Sequence, residues 1–164
     1  MPNTITFGSN AIWVGSSARS YCQDFYNACA AKTSIKTVSK GTCPDYDSSR
    51  NASVTYNDEI VWIPSEREMG LDSWSVISVS NSTTSKAECT KGYNAAYDYY
   101  TSDSSRIKNV QDANGNSSGG FGWYWERSRS SNASSRVCVV RSDGRADYTY
   151  YDYYIYLAPA FIIG

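Results

Sequence analysis

The chain has 164 residues, with 15 basic and 16 acidic side chains, a net charge of -1 and no histidine. That length suits one domain spanning residues 1–164, and so even a charge leaves no basic face for nucleic acid and no polybasic patch for a membrane. The missing imidazole removes the commonest general base and metal ligand, and the five cysteines, with no CxxC pair among them, argue against a disulfide scaffold or zinc ribbon.

In chain order, residues 4–7 alternate and residues 11–14 are apolar around Trp13, which predicts a hairpin. Ser20 and Gln23 form a capping-box pattern ahead of Cys22, Phe25, Tyr26 and Cys29, so a helix is expected over about 20–32 with both cysteines on its buried stripe. Residues 40–57 are rich in Gly, Ser, Asp and Asn and predict a loop, followed by a strand at 60–63 that stops at Pro64. Ser65, Glu68 and Gly70 then supply a cap, its reciprocal acid and a stop for a helical turn. Capping accounts for Glu68 without catalysis, and Glu66 diverges from it.

Tyr93, Ala96, Tyr97 and Tyr100 predict a second helix, and the Gly- and Ser-rich run 114–120 a flexible connection without the Lys of a phosphate cradle. Trp123 and Trp125 share one strand face and suit a core, with Tyr124 and Glu126 opposite. A strand at 137–140, a hairpin signal at Asp143-Gly144 and a closing strand at 161–163 complete a mostly β C-terminal third. These elements predict an α+β fold, two helices packed on small antiparallel sheets with long loops. No apolar run approaches the roughly 20 residues that span a bilayer, and the first ten residues lack a signal-peptide layout.

Five motifs in order carry a family resemblance: Thr4-Ile5-Thr6-Phe7-Gly8, Val61-Trp62-Ile63-Pro64-Ser65-Glu66-Arg67-Glu68, Trp125-Glu126-Arg127-Ser128, Val139-Val140-Arg141-Ser142-Asp143-Gly144 and Leu157-Ala158-Pro159-Ala160-Phe161-Ile162-Ile163. Together they resemble bacterial and phage domains of the C-type lectin fold, among them the variable proteins of diversity-generating retroelements. The related formylglycine-generating enzymes rely on redox-active cysteines in the C-terminal region, where Cys138 here stands alone. Glu-Pro-Asn and Gln-Pro-Asp, the calcium-lectin tripeptides, are missing from the sequence.

The resemblance implies a variable region at about 124–156. Retroelement mutagenesis acts on adenines, largely in AAC and AAT codons, and randomising their first two bases never yields Lys, Glu, Gln, Met or Trp. Residues 128–156 contain none of those five types, although Lys108, Gln111, Trp125 and Glu126 precede them closely. Tyrosine, one base from Asn, recurs at Tyr148, Tyr150, Tyr151, Tyr153, Tyr154 and Tyr156. So many phenols in series suit a solvent-facing surface, because a buried hydroxyl needs a partner, and Tyr gives large contact area for few rotatable bonds.

The expected ligand-binding face therefore comprises these six tyrosines with Tyr124, Ser130, Ser131, Asn132, Ser134, Arg136, Arg145, Asp147 and Asp152. Arg127 is expected to donate to backbone carbonyls as part of the constant frame. The expected function is non-enzymatic receptor binding at a phage tail or bacterial surface, with a protein receptor first and a glycan second, no nucleic acid, no membrane insertion, no metal and no cofactor, and a homo-oligomer possible. Two rivals stand beside it. One is a structural virion or adhesin module whose tyrosines pack on a neighbouring subunit; the other is an enzyme built on Cys138, Glu66, Glu68 or Asp143.

Overall fold

The computed structural model describes residues 4–30, 32–42, 55–66, 68–71, 97–111, 117–130 and 135–164. They form a mixed α+β fold of two helices and small antiparallel sheets. Among them no helix is long and apolar enough to cross a membrane.

Helix α1 runs Ser17–Ala28, three residues before the expected start, because Ser16 rather than Ser20 caps it: the Ser16 side chain accepts from the Arg19 N–H at 3.0 Å. Ala18 and Cys22 face the core, with Phe25 and Tyr26 packed beside them, while Cys29 is half-buried just past the helix. The N-terminal hairpin does not form. Ile5 instead pairs antiparallel with Ile155, and the Phe7 and Gly8 amides both donate to the Tyr151 carbonyl, so a partner far along the chain wins over the local one. Trp13 turns inward and donates its indole N–H to Glu59 at 2.9 Å.

Strands β1 (Ile35–Lys36), β2 (Val38–Thr42) and β3 (Thr55–Glu59) follow, β2 pairing with β3 across much of the expected loop; residues 43–54 lie outside the described set. The strand expected at 60–63 reduces to one bridge, Trp62 to Ala160. After Pro64 the capping box forms as expected, with Ser65 N donating to Glu68 Oε2 at 3.0 Å and Glu68 N to Ser65 Oγ at 3.3 Å, but it closes a turn, not a helix. Gly70, at φ +68°, ends that turn.

Of the expected helix at 93–100, Tyr93 and Ala96 lie outside the described residues and 97–100 is a turn. Among the described residues the second helix is the single turn α2, Asp103–Arg106. Of the glycine-rich run, residues 114–116 lie outside the described residues and 117–120 belong to a strand: β4 (Asn109–Gln111) pairs with β5 (Ser117–Phe121) through a bulge. The chain ends in a three-stranded sheet of β6 (Tyr124–Arg129), β7 (Arg136–Val140) and β8 (Ala146–Tyr150), and then β9 (Ile162–Ile163), which returns to β1.

The main core gathers Phe7, Trp13, Val38, Trp62, Ile63, Trp125, Val137 and Val139, with the Phe7 and Trp125 rings edge to face at 5.5 Å. A second cluster of Met69, Leu71, Tyr124, Val140 and Ala146 covers part of the opposite face of the sheet.

Candidate functional site

The register of the three-stranded sheet decides which of its residues reach solvent. Paired residues share a face, so Trp125, Val139 and Asp147 lie on one side with Val137 and Thr149, against the main core. Tyr124, Val140 and Ala146 lie on the other side beneath the second cluster. Further along that side come the pairs Cys138 with Tyr148 and Arg136 with Tyr150, which are not members of the second cluster. Cys138 is buried there, Tyr148 and Arg136 are half-buried, and Tyr150 is exposed.

On this end the Arg136 guanidinium lies over both neighbouring rings, 4.6 Å from the Tyr148 centroid and 5.1 Å from that of Tyr150, and one of its N–H groups donates to the Tyr150 hydroxyl at 3.4 Å. A turn after β8, closed by Tyr153 N to Tyr150 O at 3.1 Å, brings the Tyr153 ring to 5.9 Å from Tyr150. Tyr150, Tyr153 and Tyr154 are 43%, 55% and 73% exposed, and Asp152 is exposed in the same turn. Arg136, Tyr148, Tyr150, Asp152, Tyr153 and Tyr154 thus lie where the sequence expects a binding face.

The other expected residues do not join them. Tyr124 is 1% exposed, its hydroxyl donating to the Arg106 carbonyl at 2.6 Å; burial, with the charge of Glu126 second, pushes its pKa up. Ser130 is buried beside β7, its amide bonded to the Arg136 carbonyl at 2.9 Å. Strand β6 is covered on both faces, which the alternation of its Trp and Tyr residues did not reveal. Tyr151 packs on the main core and Tyr156 on the second cluster, its ring seated where a side chain on Gly122 would stand.

Asp147 points to the opposite face from Tyr148 and meets Arg141 at 3.8 Å. Arg145 is exposed at the hairpin tip among Asp103 (3.7 Å) and Asp143 (4.0 Å), five residues and about 16 Å of strand from Tyr150. Ser131, Asn132 and Ser134 lie outside the described residues.

Strand β6 is pinned by a buried ion network. Glu68 takes Lys40 Nζ at 2.6 Å on one oxygen and Arg127 on the other, all three side chains fully buried. Arg127 also donates to the Gly41 and Ile63 carbonyls at 3.2 and 3.0 Å, the role expected of it. Burial alone would raise the Glu68 pKa, but the two cations overcome it and hold the carboxyl below its ordinary value. Lys40 Nζ also lies 4.3 Å from the Trp62 ring, and Trp62 donates to the Tyr97 hydroxyl at 3.0 Å. Lys40 sits in the expected loop, and no local signal marked it as a buried cation.

Of the acids and thiol of the enzyme reading, Glu68 is in this network, Glu66 is buried with its amide donating to Ser128 Oγ at 2.9 Å, Asp143 is at the exposed hairpin tip and Cys138 in mid-strand on β7.

A family model matches residues 4–164 of the chain. The chain belongs to DUF6273, a domain of unknown function. None of the curated proteins and none of the solved structures compared matches it. The DUF6273 match takes in both the buried ion network and the tyrosine cluster.

Proposed function

We propose that this chain is a ligand-binding domain with a C-type-lectin-like fold, diversified by a retroelement and used for receptor recognition at a phage tail or bacterial surface, with no catalytic role. The carrying observation is the placing of Arg136 over the Tyr148 and Tyr150 rings, with the Tyr153 ring beside Tyr150 and Tyr150, Tyr153 and Tyr154 all exposed. Exposed tyrosines clustered on a rigid scaffold supply contact area at low entropic cost, as in antibody loops. The lectin-like reading is supported by the way the chain closes on itself, Ile5 pairing with Ile155 and Ile35 with Ile163. A protein receptor is the preferred target.

The fold narrows which positions of the window can vary. Val137, Val139, Val140 and Thr149 are buried and tolerate few of the residues that randomised Asn codons encode, whereas Arg136, Tyr148, Tyr150, Asp152, Tyr153 and Tyr154 tolerate most. The test has two arms. Near the coding sequence, a partial copy of the window should differ from it at adenines, and the affected codons should be those of the second set. Alanine at Tyr150, Tyr153 and Tyr154 together should abolish binding of the labelled chain to intact bacteria while leaving the melting transition in place. Sedimentation showing a homo-oligomer that the triple alanine variant no longer forms would replace receptor binding with the structural-module reading.

A further inference from the structure

Arg136 differs from five other arginines of the fold. Arg19, Arg106, Arg127, Arg141 and Arg145 each have a carboxylate within 4.0 Å. Arg136 has none among the described residues, and the neighbouring run 131–134, Ser-Asn-Ala-Ser, contains no acid to reach it. Its neighbours in the cluster are aromatic: its guanidinium carbon lies over the rings of Tyr148 and Tyr150, and the Tyr150 hydroxyl takes one N–H. A guanidinium has five N–H donors, more than the tyrosine hydroxyls here can take, and a pair of parallel N–H groups matches a carboxylate. The stacking also fixes the side chain before a ligand arrives, which lowers the ordering cost of binding.

Resting on the reading of this cluster as the ligand face, we propose that Arg136 is its specificity-determining residue and that it selects an Asp or Glu side chain on a protein surface, seated between Tyr148, Tyr150 and Tyr153. A protein acid fits better than a sugar acid for two reasons. Pyranose rings stack on open aromatic faces, and here the guanidinium occupies one face of both Tyr148 and Tyr150. Tyr150 and Tyr153 are inclined at 54°, which forms a cleft for a side chain more than a platform for a flat ring.

The experiment uses the full chain, immobilised, to select from a displayed library of random peptides. Selected peptides should share an Asp or Glu at one position, and changing it to the amide should weaken binding about tenfold or more. Arg136→Gln should weaken the parent peptide by the same factor, and the amide peptide should bind Arg136→Gln no worse than it binds the native chain, the signature of one coupled pair. An unchanged melting transition for Arg136→Gln separates lost recognition from lost folding. Peptides selected without a shared acid, or an acid whose removal costs as much in Arg136→Gln as in the native chain, overturn the assignment. So does Arg136-dependent binding of glucuronate-bearing oligosaccharides in the absence of any acidic peptide. If Tyr153→Ala and Tyr154→Ala leave peptide binding intact, the reading of the cluster as the ligand face fails; acid-independent peptides that still need these rings overturn only the role of Arg136.

Discussion

A charged residue in the interior is tolerable only with its partners, and Glu68 has two. Removing its charge while keeping its shape takes the Glu68 carboxylate away from both buried cations, so Glu68→Gln should destabilise the fold by about 3–5 kcal/mol at neutral pH in urea unfolding. The pH dependence has a defined sign. The folded-state pKa of Glu68 lies below its unfolded value of 4.5, so its contribution is complete above that pH and is lost as pH falls through the lowered folded value. The stability gap between the native chain and Glu68→Gln should therefore narrow below pH 4.5 and stay constant above it. Two tyrosines of one window provide the contrast. Tyr124→Phe strips the Arg106 carbonyl of a buried donor and should cost about 1–3 kcal/mol, whereas Tyr150→Phe, on the exposed face, should fall within about 0.5 kcal/mol of the native chain.

Among the elements, those legible in the sequence are those whose partners lie nearby. Residues 136–150 combine a β-branched run, an Asp-Gly signal and a return strand, and they form the β7–β8 hairpin with every register position paired locally. Arg141 N donates to the Arg145 carbonyl at 2.8 Å across the end of the hairpin, so the loop holds Ser142, Asp143 and Gly144, one residue more than the Asp-Gly signal predicts. Gly144, at φ +84°, lies against the Asp103 backbone at the start of α2. A methyl group at Gly144 would overlap the Asp103 carbonyl. Gly144→Ala therefore meets both left-handed strain and a backbone clash, and should cost more than the roughly 1 kcal/mol of strain alone. Its thermal midpoint, compared with that of Gly120→Ala, where a methyl group meets nothing within 4 Å, isolates the combined effect of strain and clash. Elements with distant partners were not legible. Residues 4–7 alternate as a hairpin strand would, but Ile5 pairs with Ile155 near the other end of the chain; Lys40 has a loop's neighbours and is drawn into β2 by Glu68.

Across the whole molecule, the C-terminal segment ties the early parts of the chain together and fixes both ends of the exposed turn. The Tyr151 carbonyl takes the Phe7 and Gly8 amides at 2.8 and 3.4 Å, and Ile155 exchanges two backbone bonds with Ile5 at 2.9 and 3.1 Å. Residues 152–154 are thus a short excursion clamped on both sides, so changes at Tyr153 or Tyr154 have no packed route into the core. The general location of the candidate site was legible because the absence of Lys, Glu, Gln, Met and Trp from residues 128–156 and the run of tyrosines are properties of sequence alone. Its membership was not, since strand register and the second cluster decide which tyrosines are covered. The clamp gives the converse prediction. Ile155→Pro removes the donor to Ile5 and should release the Ile5 amide to fast hydrogen exchange, with about 3 kcal/mol of stability lost. Tyr153→Ala and Tyr154→Ala should leave the protection of that amide unchanged. Equal loss of protection in all three variants would mean that the exposed turn is part of the frame and not a surface free to vary.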